Sequence, residues 1–153
     1  MAKVYEFLAN GFEEVEGLAP VDILRRGGVD IKTVSVTGSE YVETSHGITI
    51  KADLTIEDAD LSDADMLLLP GGLPGATNLR DLEGVCAALK AQAGKGGRIG
   101  AICAAPLVLG HLGLLEGRYA TCYPAFEKVM TGAHYTHELF TIDGNIITGE
   151  GPA

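Results

Sequence analysis

The sequence predicts an α/β protein whose central sheet is mostly parallel. Strand-like segments alternate with segments of helical spacing along the chain. The segments at 65–72 and 98–102 are largely apolar runs, which is typical of strands covered on both faces by helices. Because no internal repeat, low-complexity tract or linker interrupts the pattern, we expect residues 1–153 to form a single domain.

The first βα unit is predicted from two strand signals and one helix signal. Residues 3–9 (KVYEFLA) form an apolar run, and residues 29–36 (VDIKTVSV) alternate β-branched with polar side chains, so both are predicted strands. Between them, apolar residues recur at helical spacing over 12–26, and two glycines end the helix. Pro20 lies inside this helix and is expected to kink it.

The rest of the chain continues the alternation. We predict extended segments at 47–56, 65–72, 98–102 and 119–123, and helical segments at 82–97, 105–115 and 126–130. Residues 138–149 form two alternating runs around an Asp-Gly turn signal, which predicts a β-hairpin. Because a parallel sheet needs both faces covered, we expect a final helix beyond this sequence, or a partner chain, to cover the last strand.

Charge and cysteine content exclude several function classes. The chain has 21 acidic and 11 basic residues, a net charge of −10, and its only paired cations are Arg25 and Arg26. Nucleic acids and anionic membranes bind basic patches, so we expect neither as a partner. No apolar run approaches the ~20 residues of a membrane span, and no signal peptide precedes the first strand, which predicts a cytoplasmic protein. Three cysteines without a CxxC pair favour free thiols and no metal site.

Three predicted strands end in residues that could form one site. Glu13, Glu14 and Glu16 follow the first strand, the glycine-rich PGGLPGATN follows the 65–72 strand, and Cys103 follows the 98–102 strand. Ligands of parallel sheets bind beyond the carboxyl ends of the strands. We therefore expect a carboxylate, a glycine-rich backbone and a thiol to converge at one edge of the sheet.

Cys103 fits a nucleophile at a tight strand-to-helix turn, the geometry of a nucleophile elbow. Small residues follow it, and a helix N-terminus is expected to lower the pKa of the thiol. The backbone N–H groups of Ala104 and Gly72 could form an oxyanion hole, and Gly71 would let a substrate approach. The residues alone also allow a simpler interpretation, in which Cys103 is a core residue and the glutamates stabilise a helix end.

Five motifs in this order resemble one known family across essentially the whole chain. They are GFEEVE, PVDILRRGG, LLLPGG followed by GATNL, AICAAP, and GAHYTHE followed by DGNIITGEGPA. The chain resembles the DJ-1/ThiJ/PfpI superfamily, and within it the DJ-1/ThiJ branch. The resemblance implies a flavodoxin-like three-layer sandwich of the class I glutamine amidotransferase type, and a homodimer.

The resemblance also implies roles for individual residues. It makes Cys103 the nucleophile, Glu16 the acid that hydrogen-bonds the thiol, and His134 a nearby histidine. The backbone donors fall on Gly72 and Ala104, beside Gly71, and Arg26 matches an arginine on the dimer-facing side of the pocket. Two positions depart from the family pattern: Ala105 replaces a common glycine, and His46 stands where the best-known animal member has an anion-binding arginine.

The family implies several activities, which the sequence leaves open. The first is a glyoxalase or deglycase that needs no cofactor or metal and acts on small 2-oxoaldehydes, with Glu16 and His134 moving protons. The second is a redox-sensing chaperone or stress-response protein with an oxidisable cysteine and no turnover. The third is an amidase or peptidase. The peptidase branch tends to carry a histidine directly after the cysteine, and Ala104 counts against it.

Overall fold

The computed structural model describes residues 1–152 and contains a seven-stranded sheet with helices on both sides. The strands are β1 (Lys3–Leu8), β2 (Asp30–Ser35), β3 (Tyr41–Glu43), β4 (Thr49–Lys51), β5 (Leu54–Thr55), β6 (Met66–Leu69), β7 (Arg98–Ile102), β8 (Tyr119–Ala120), β9 (His134–Tyr135), β10 (Phe140–Asp143) and β11 (Ile146–Gly149). The helices are α1 (Glu14–Arg26), α2 (Gly75–Arg80), α3 (Glu83–Gly94) and α4 (Pro106–His111), with a 3₁₀ turn at Glu127–Val129.

The main sheet has the strand order β10-β11-β7-β6-β1-β2-β5. All its neighbours are parallel except the β10–β11 hairpin. The predicted α/β class with a mostly parallel central sheet is confirmed. Because β6 lies between β1 and β7, the carboxyl ends of these three strands are adjacent, which is where the sequence places its chemically distinctive residues.

Strand alternation divides the core between the two faces of the sheet. On one face, the larger core cluster joins α2, α3 and α4 through residues such as Phe7, Leu67 and Ile99. On the other face, Val4 and Ile31 pack against Val21 of α1, together with partly buried residues of β6. Successive residues of β1 therefore point to opposite layers of the sandwich.

Several parts of the structure differ from the sequence prediction. The glycine-rich stretch after β6 forms helix α2. Its first residue, Gly75, packs against Phe12 so closely that a Cβ on Gly75 would lie 2.6 Å from the Phe12 Cα. Residues 47–56 divide into β4 and β5, and β4 pairs with the unpredicted β3. Strand β8 stops at Ala120 because the following backbone N–H, that of Thr121, donates to the Thr148 hydroxyl instead of continuing the ladder.

Helix α1 runs through Pro20 as one element, so the proline does not end it. Helix α4 is shorter than the predicted 105–115, because its cap lies at Leu112 and Gly113 takes a positive φ of 75°. Among residues 1–152, no helix has the length and apolar character that crossing a membrane requires.

Candidate active site

Cys103 occupies a sharp turn directly after β7. Its φ is +63°, a left-handed conformation that costs a residue with a Cβ about 1–2 kcal/mol. Two backbone hydrogen bonds hold the turn: the Cys103 N–H donates to the Gly149 carbonyl at 3.0 Å, and the Cys103 carbonyl accepts from the Tyr123 N–H at 2.9 Å. With α4 beginning at Pro106, the thiol lies at the strand-to-helix bend that the sequence predicts.

Glu16 reaches the thiol from the first turn of α1. It is 4% exposed, its Oε1 accepts from the Gly71 N–H at 3.0 Å, and its Oε2 has no hydrogen-bond partner among the described residues. The carboxyl lies close enough to the Cys103 thiol to raise the pKa of that thiol. Glu13 fixes the helix start, because its carboxylate accepts from the Glu16 N–H at 2.8 Å and its own N–H donates to the Gly71 carbonyl at 3.0 Å. Backbone hydrogen bonds between the start of α1 and Gly71 therefore fix the position of the Glu16 carboxyl.

The two glycines after β6 leave the space that this arrangement needs. A Cβ at Gly71 would lie 2.6 Å from Glu16 Oε1 and 2.7 Å from the Cys103 Cβ. Gly72 has a φ of +87°, and a Cβ there would lie 2.5 Å from the Glu13 backbone nitrogen. A side chain at position 71 would therefore displace the carboxyl from the thiol, and one at position 72 would displace the start of α1 at Glu13.

The electrostatics of the thiol differ from the sequence prediction. Burial, then the negative charge of Glu16 and its hydrogen bond, raise the pKa of Cys103 to about 12, although the amides of Ala104 and Gly72 act to lower it. The lowering expected from the adjacent amides is present, but burial of the thiol and then the Glu16 charge outweigh it.

Burial also raises the pKa of Glu16 above its ordinary value of 4.5, and the hydrogen bond from Cys103 acts in the opposite direction. The charge of Glu16 thus makes ionisation of the thiol less favourable, whereas the Cys103 hydrogen bond favours the ionised form of Glu16. With Glu16 ionised, the proton stays on the sulfur; a reactive thiolate requires that this proton pass to Glu16. Cys103 can therefore act as the nucleophile, and Glu16 can act as the base that takes its proton and the acid that returns it.

Comparisons with known proteins agree with this fold. A model of the DJ-1/PfpI family matches residues 2–153. The chain belongs to the DJ-1/PfpI family. The Parkinson disease protein 7 homolog of Danio rerio is 42% identical over 149 residues, which cover 95% of this chain and 79% of that protein. Protein DJ-1 homolog B of Arabidopsis thaliana is 41% identical over 152 residues. The matched region covers 98% of this chain but only 35% of the plant relative, so this chain spans about a third of that protein's length.

Two further comparisons bear on activity and fold. The glutathione-independent glyoxalase DJR-1.2 of Caenorhabditis elegans is 33% identical over 141 residues, covering 92% of this chain and 75% of that protein. The crystal structure of a cysteine-to-alanine mutant of a DJ-1 superfamily protein from Salmonella typhimurium superimposes with a TM-score of 0.94 at 36% identity. It covers 99% of this chain and 82% of the Salmonella chain.

His134 begins the short strand β9 in this DJ-1/PfpI family member. Its N–H donates to the Arg118 carbonyl at 2.7 Å, and its ring is 5.2 Å from the ring of Tyr119. The Tyr119 N–H bonds Asp143 in the β10–β11 turn, which lies beside the amino end of β7. The contacts of His134 are thus with Arg118 and Tyr119, and its predicted role beside the Cys103 thiol stays a prediction.

Tyr123 is the aromatic residue beside the thiol that sequence reasoning missed. In addition to its backbone bond to Cys103, its ring carbon Cδ2 lies 3.3 Å from the Cβ position of Gly151, and the Cys103 Cβ lies 3.5 Å from that same position. The ring is 45% exposed, so it borders the opening of the site. The only local signal is Pro124, which marks the end of the preceding extended segment.

Arg26 lies away from the thiol of its own chain. It ends α1, ten residues after Glu16 and therefore about 15 Å along the helix axis. Its side chain is 78% exposed and pairs with Asp22 at 2.9 Å. Within the described residues, Arg26 is not part of the Cys103 pocket.

His46 lies at the start of α1, where its Nδ1 is 2.8 Å from Glu14 Oε1. The hydrogen bond with Glu14 raises the pKa of His46, and the same bond lowers the pKa of Glu14. One ligand atom from each of Glu13, Glu14 and His46 falls within 4.8 Å of the others, so these residues could hold a cation. A metal would compete with the existing ion pair, and the sequence predicted no metal site.

Proposed function

We propose that this protein is a Cys103-dependent enzyme that converts small 2-oxoaldehydes such as methylglyoxal into 2-hydroxy acids. The observation that supports this proposal is the buried carboxyl of Glu16 beside Cys103: Glu16 Oε1 and the Cys103 Cβ lie 2.6 and 2.7 Å from the same point, the Cβ position of Gly71. The amides of Gly72 and Ala104 act on the sulfur from the other side. The similarity to a glutathione-independent glyoxalase supports the same reaction class.

In the first step, Glu16 accepts the thiol proton and the sulfur attacks the aldehyde carbon. A C–S bond forms, the C=O π bond breaks, and the oxygen becomes an oxyanion. The N–H groups of Gly72 and Ala104 are placed to stabilise this oxyanion, which then takes the proton from Glu16 to give a hemithioacetal.

In the following steps, Glu16 removes the proton from the former aldehyde carbon and passes it to the neighbouring carbonyl oxygen, which gives an enediol. Glu16 then takes the hydroxyl proton of the sulfur-bearing carbon as its C=O bond re-forms, and the neighbouring carbon takes up that proton. The product is a thioester of a 2-hydroxy acid, which water cleaves to release the acid and restore the thiol. One carbon is oxidised and its neighbour reduced, so the balance needs water and no external oxidant. Glu16 performs the proton transfers without His134.

The test is the release of lactate from methylglyoxal by the purified chain. Loss of lactate formation is expected in Cys103→Ala and in Glu16→Gln. Cys86→Ala provides a matched control, because Cys86 is a partly buried free thiol on α3 whose S–H bonds the Arg80 carbonyl. His134→Gln is expected to keep the activity. Lactate formation that persists in Cys103→Ala, or that disappears in His134→Gln, would contradict the proposal.

A second candidate is a redox-sensing chaperone without turnover. Its support is the same partly exposed thiol with a hydrogen-bonding acid beside it, an arrangement suited to oxidation by peroxide. Each peroxide transfers one oxygen to sulfur and leaves as water, so two equivalents give the sulfinate. Mass spectrometry would show a gain of two oxygens at Cys103, and suppression of client aggregation should then change on oxidation while methylglyoxal yields no lactate.

An amidase or peptidase is disfavoured. That chemistry needs a histidine that contacts the cysteine. Ala104 follows Cys103, and His134 and His46 are engaged with Tyr119 and Glu14. Hydrolysis of an amide substrate with a burst of acyl-enzyme would overturn this ranking.

We also propose that the chain forms a homodimer. Apolar side chains on α1 support this proposal, because Val15 is 58% and Ile23 is 65% exposed on the described surface. Light scattering should give twice the mass of one chain, and Ile23→Glu is expected to shift the protein towards monomer. A monomer at micromolar concentration would overturn the proposal.

A further inference from the structure

Tyr123 presents an aromatic ring at the edge of the thiol site, on a backbone that is tied to the nucleophile. Its N–H donates to the Cys103 carbonyl at 2.9 Å. Its own carbonyl accepts from the Phe126 N–H at 3.0 Å and from the Cys122 thiol at 3.4 Å. The backbone of Tyr123 is therefore held on both sides, while almost half of the residue stays exposed.

The orientation of the Tyr123 ring is also held. Phe126 meets it edge to face, with 6.2 Å between the ring centroids and 73° between the ring planes. Phe126 packs in turn against the larger core cluster, on the side of the sheet opposite α1. Between the two aromatic residues, Ala125 has a φ of +77°, a strained conformation for a residue with a Cβ. Such strain is concentrated at binding and catalytic sites.

The ring lies beside both reacting side chains. The Cβ position of Gly151 is 3.3 Å from Tyr123 Cδ2, and it is 3.5 Å from both the Cys103 Cβ and Glu16 Oε2. The ring, the side chain of the nucleophile and the carboxyl thus surround the same glycine. A substrate that is bonded to the Cys103 sulfur therefore lies within reach of the Tyr123 ring.

We propose that Tyr123 determines the substrate class by packing its ring against the substituent of the 2-oxoaldehyde, so that aryl 2-oxoaldehydes react better than glyoxal. This inference rests on the proposed reaction at Cys103. An aryl substituent buries apolar area against the ring and adds the attraction between two aromatic groups. The hydrogen atom that glyoxal carries in this position offers neither contribution.

The turnover test compares glyoxal, methylglyoxal and phenylglyoxal, which give glycolate, lactate and mandelate. In each case the aldehyde hydrogen moves to the neighbouring carbon and one water is added. In Tyr123→Ala, kcat/KM for phenylglyoxal should fall by about tenfold, while the value for glyoxal stays within about twofold of the original. Tyr123→Phe should keep the preference, because only the hydroxyl is lost. Tyr41→Ala is the matched control, since Tyr41 is an exposed tyrosine on β3.

A second measurement does not depend on turnover. Acetophenone has the aryl ketone of phenylglyoxal but no aldehyde, so it tests the contact with the ring alone. It should protect the Cys103 peptide from iodoacetamide, as followed by mass spectrometry, in the unmodified chain and in Tyr123→Phe. In Tyr123→Ala the dissociation constant measured by this protection should rise by about tenfold.

Three results would overturn the role of Tyr123: equal preferences in Tyr123→Ala and the unmodified chain, faster turnover of phenylglyoxal in Tyr123→Ala, or acetophenone protection that is absent or the same in both. The proposed function stands in each of these cases if the unmodified chain forms lactate. If the unmodified chain releases no acid from any of the three aldehydes, the proposed function fails, and acetophenone protection alone decides whether the ring binds an aryl group.

Discussion

Glu6 and Glu16 are two buried acids, yet their surroundings differ. They are 1% and 4% exposed, and burial raises the pKa of both carboxyls. Glu16 Oε1 accepts from the Gly71 N–H and its carboxyl acts on the Cys103 thiol, whereas Glu6 has no such neighbours; Oε2 of both acids lacks a hydrogen-bond partner among residues 1–152. Burial alone therefore does not make an acid part of a catalytic site; donors of the right geometry must also be present.

The difference follows from where each acid lies relative to the sheet. Glu16 is at the carboxyl edge, where Gly71 belongs to a loop and its N–H is not used by a strand ladder. Glu6 is mid-strand, where the backbone N–H groups of β1 and its neighbours are used in sheet pairing. The loops at the sheet edge supply free donors, and the sheet interior does not.

The largest effect expected from this contrast is on turnover. Glu16→Gln keeps the size of the side chain but cannot exchange a proton, so the rate of lactate formation should fall by about 10²–10⁴-fold. Steady-state rates with methylglyoxal measure this. Glu57→Gln, an exposed change of the same type, should leave the rate within twofold of the original. If the Glu16→Gln variant formed lactate at the original rate, the catalytic role that separates Glu16 from Glu6 would be contradicted.

The next effect concerns the reactivity of the thiol. In Glu16→Gln, the negative charge that raises the pKa of Cys103 is removed, so this pKa should fall from about 12. We expect the rate of alkylation by iodoacetamide at pH 7.5 to rise by about tenfold or more. A pH profile of the alkylation rate measures the shift, with Cys86→Ala and Cys122→Ala in the background. An unchanged profile would show that the carboxyl does not influence the sulfur.

A smaller effect is expected on stability, with opposite signs for the two acids. Glu6→Leu replaces an unpaired buried carboxyl by an apolar group and should raise the free energy of unfolding by about 1–3 kcal/mol. Glu16→Leu leaves the Gly71 N–H without an acceptor and should lower it by about the same amount. Urea titrations of both variants compare the two sites. Destabilisation by Glu6→Leu would indicate a partner for Glu6.

The smallest effect is a pH dependence that belongs to Glu6. Because burial raises its pKa in the folded protein well above 4.5, the unfolded chain loses this proton first as the pH rises. Stability from this group is therefore complete below about pH 4 and falls as the pH rises towards the folded pKa, by at most ~1.4 kcal/mol per pH unit. Unfolding free energies of Glu6→Gln and the original chain should diverge over that range. Parallel curves would contradict the raised pKa.

Most of the fold follows from local sequence patterns, because buried parallel strands and glycine-ended helices have strong signals. The apolar run of β6 and the turn residues between β10 and β11 are examples. Helix α2 is different: its sequence GATNLR is short and begins with glycine, and it is helical through packing on the loop at Phe12. Tertiary contact, which no local pattern reveals, decides its structure.

The candidate site is predictable only in part. Cys103, Glu16 and Gly71 each follow a strand that ends at the same sheet edge, so topology alone brings them together. His134 follows no such strand, and its place was inferred from resemblance, which gives no distance. Tyr123 gave no chemical signal because its position depends on where the short β8 leaves the sheet.

The left-handed backbone of Cys103 has a consequence for how the protein responds to mutation. A glycine at this position would relax the turn at the expense of the sulfur, so selection for heat resistance alone would tend to discard the nucleophile. Libraries screened by survival at high temperature should enrich glycine there, and their thermotolerant members would be inert towards aldehydes.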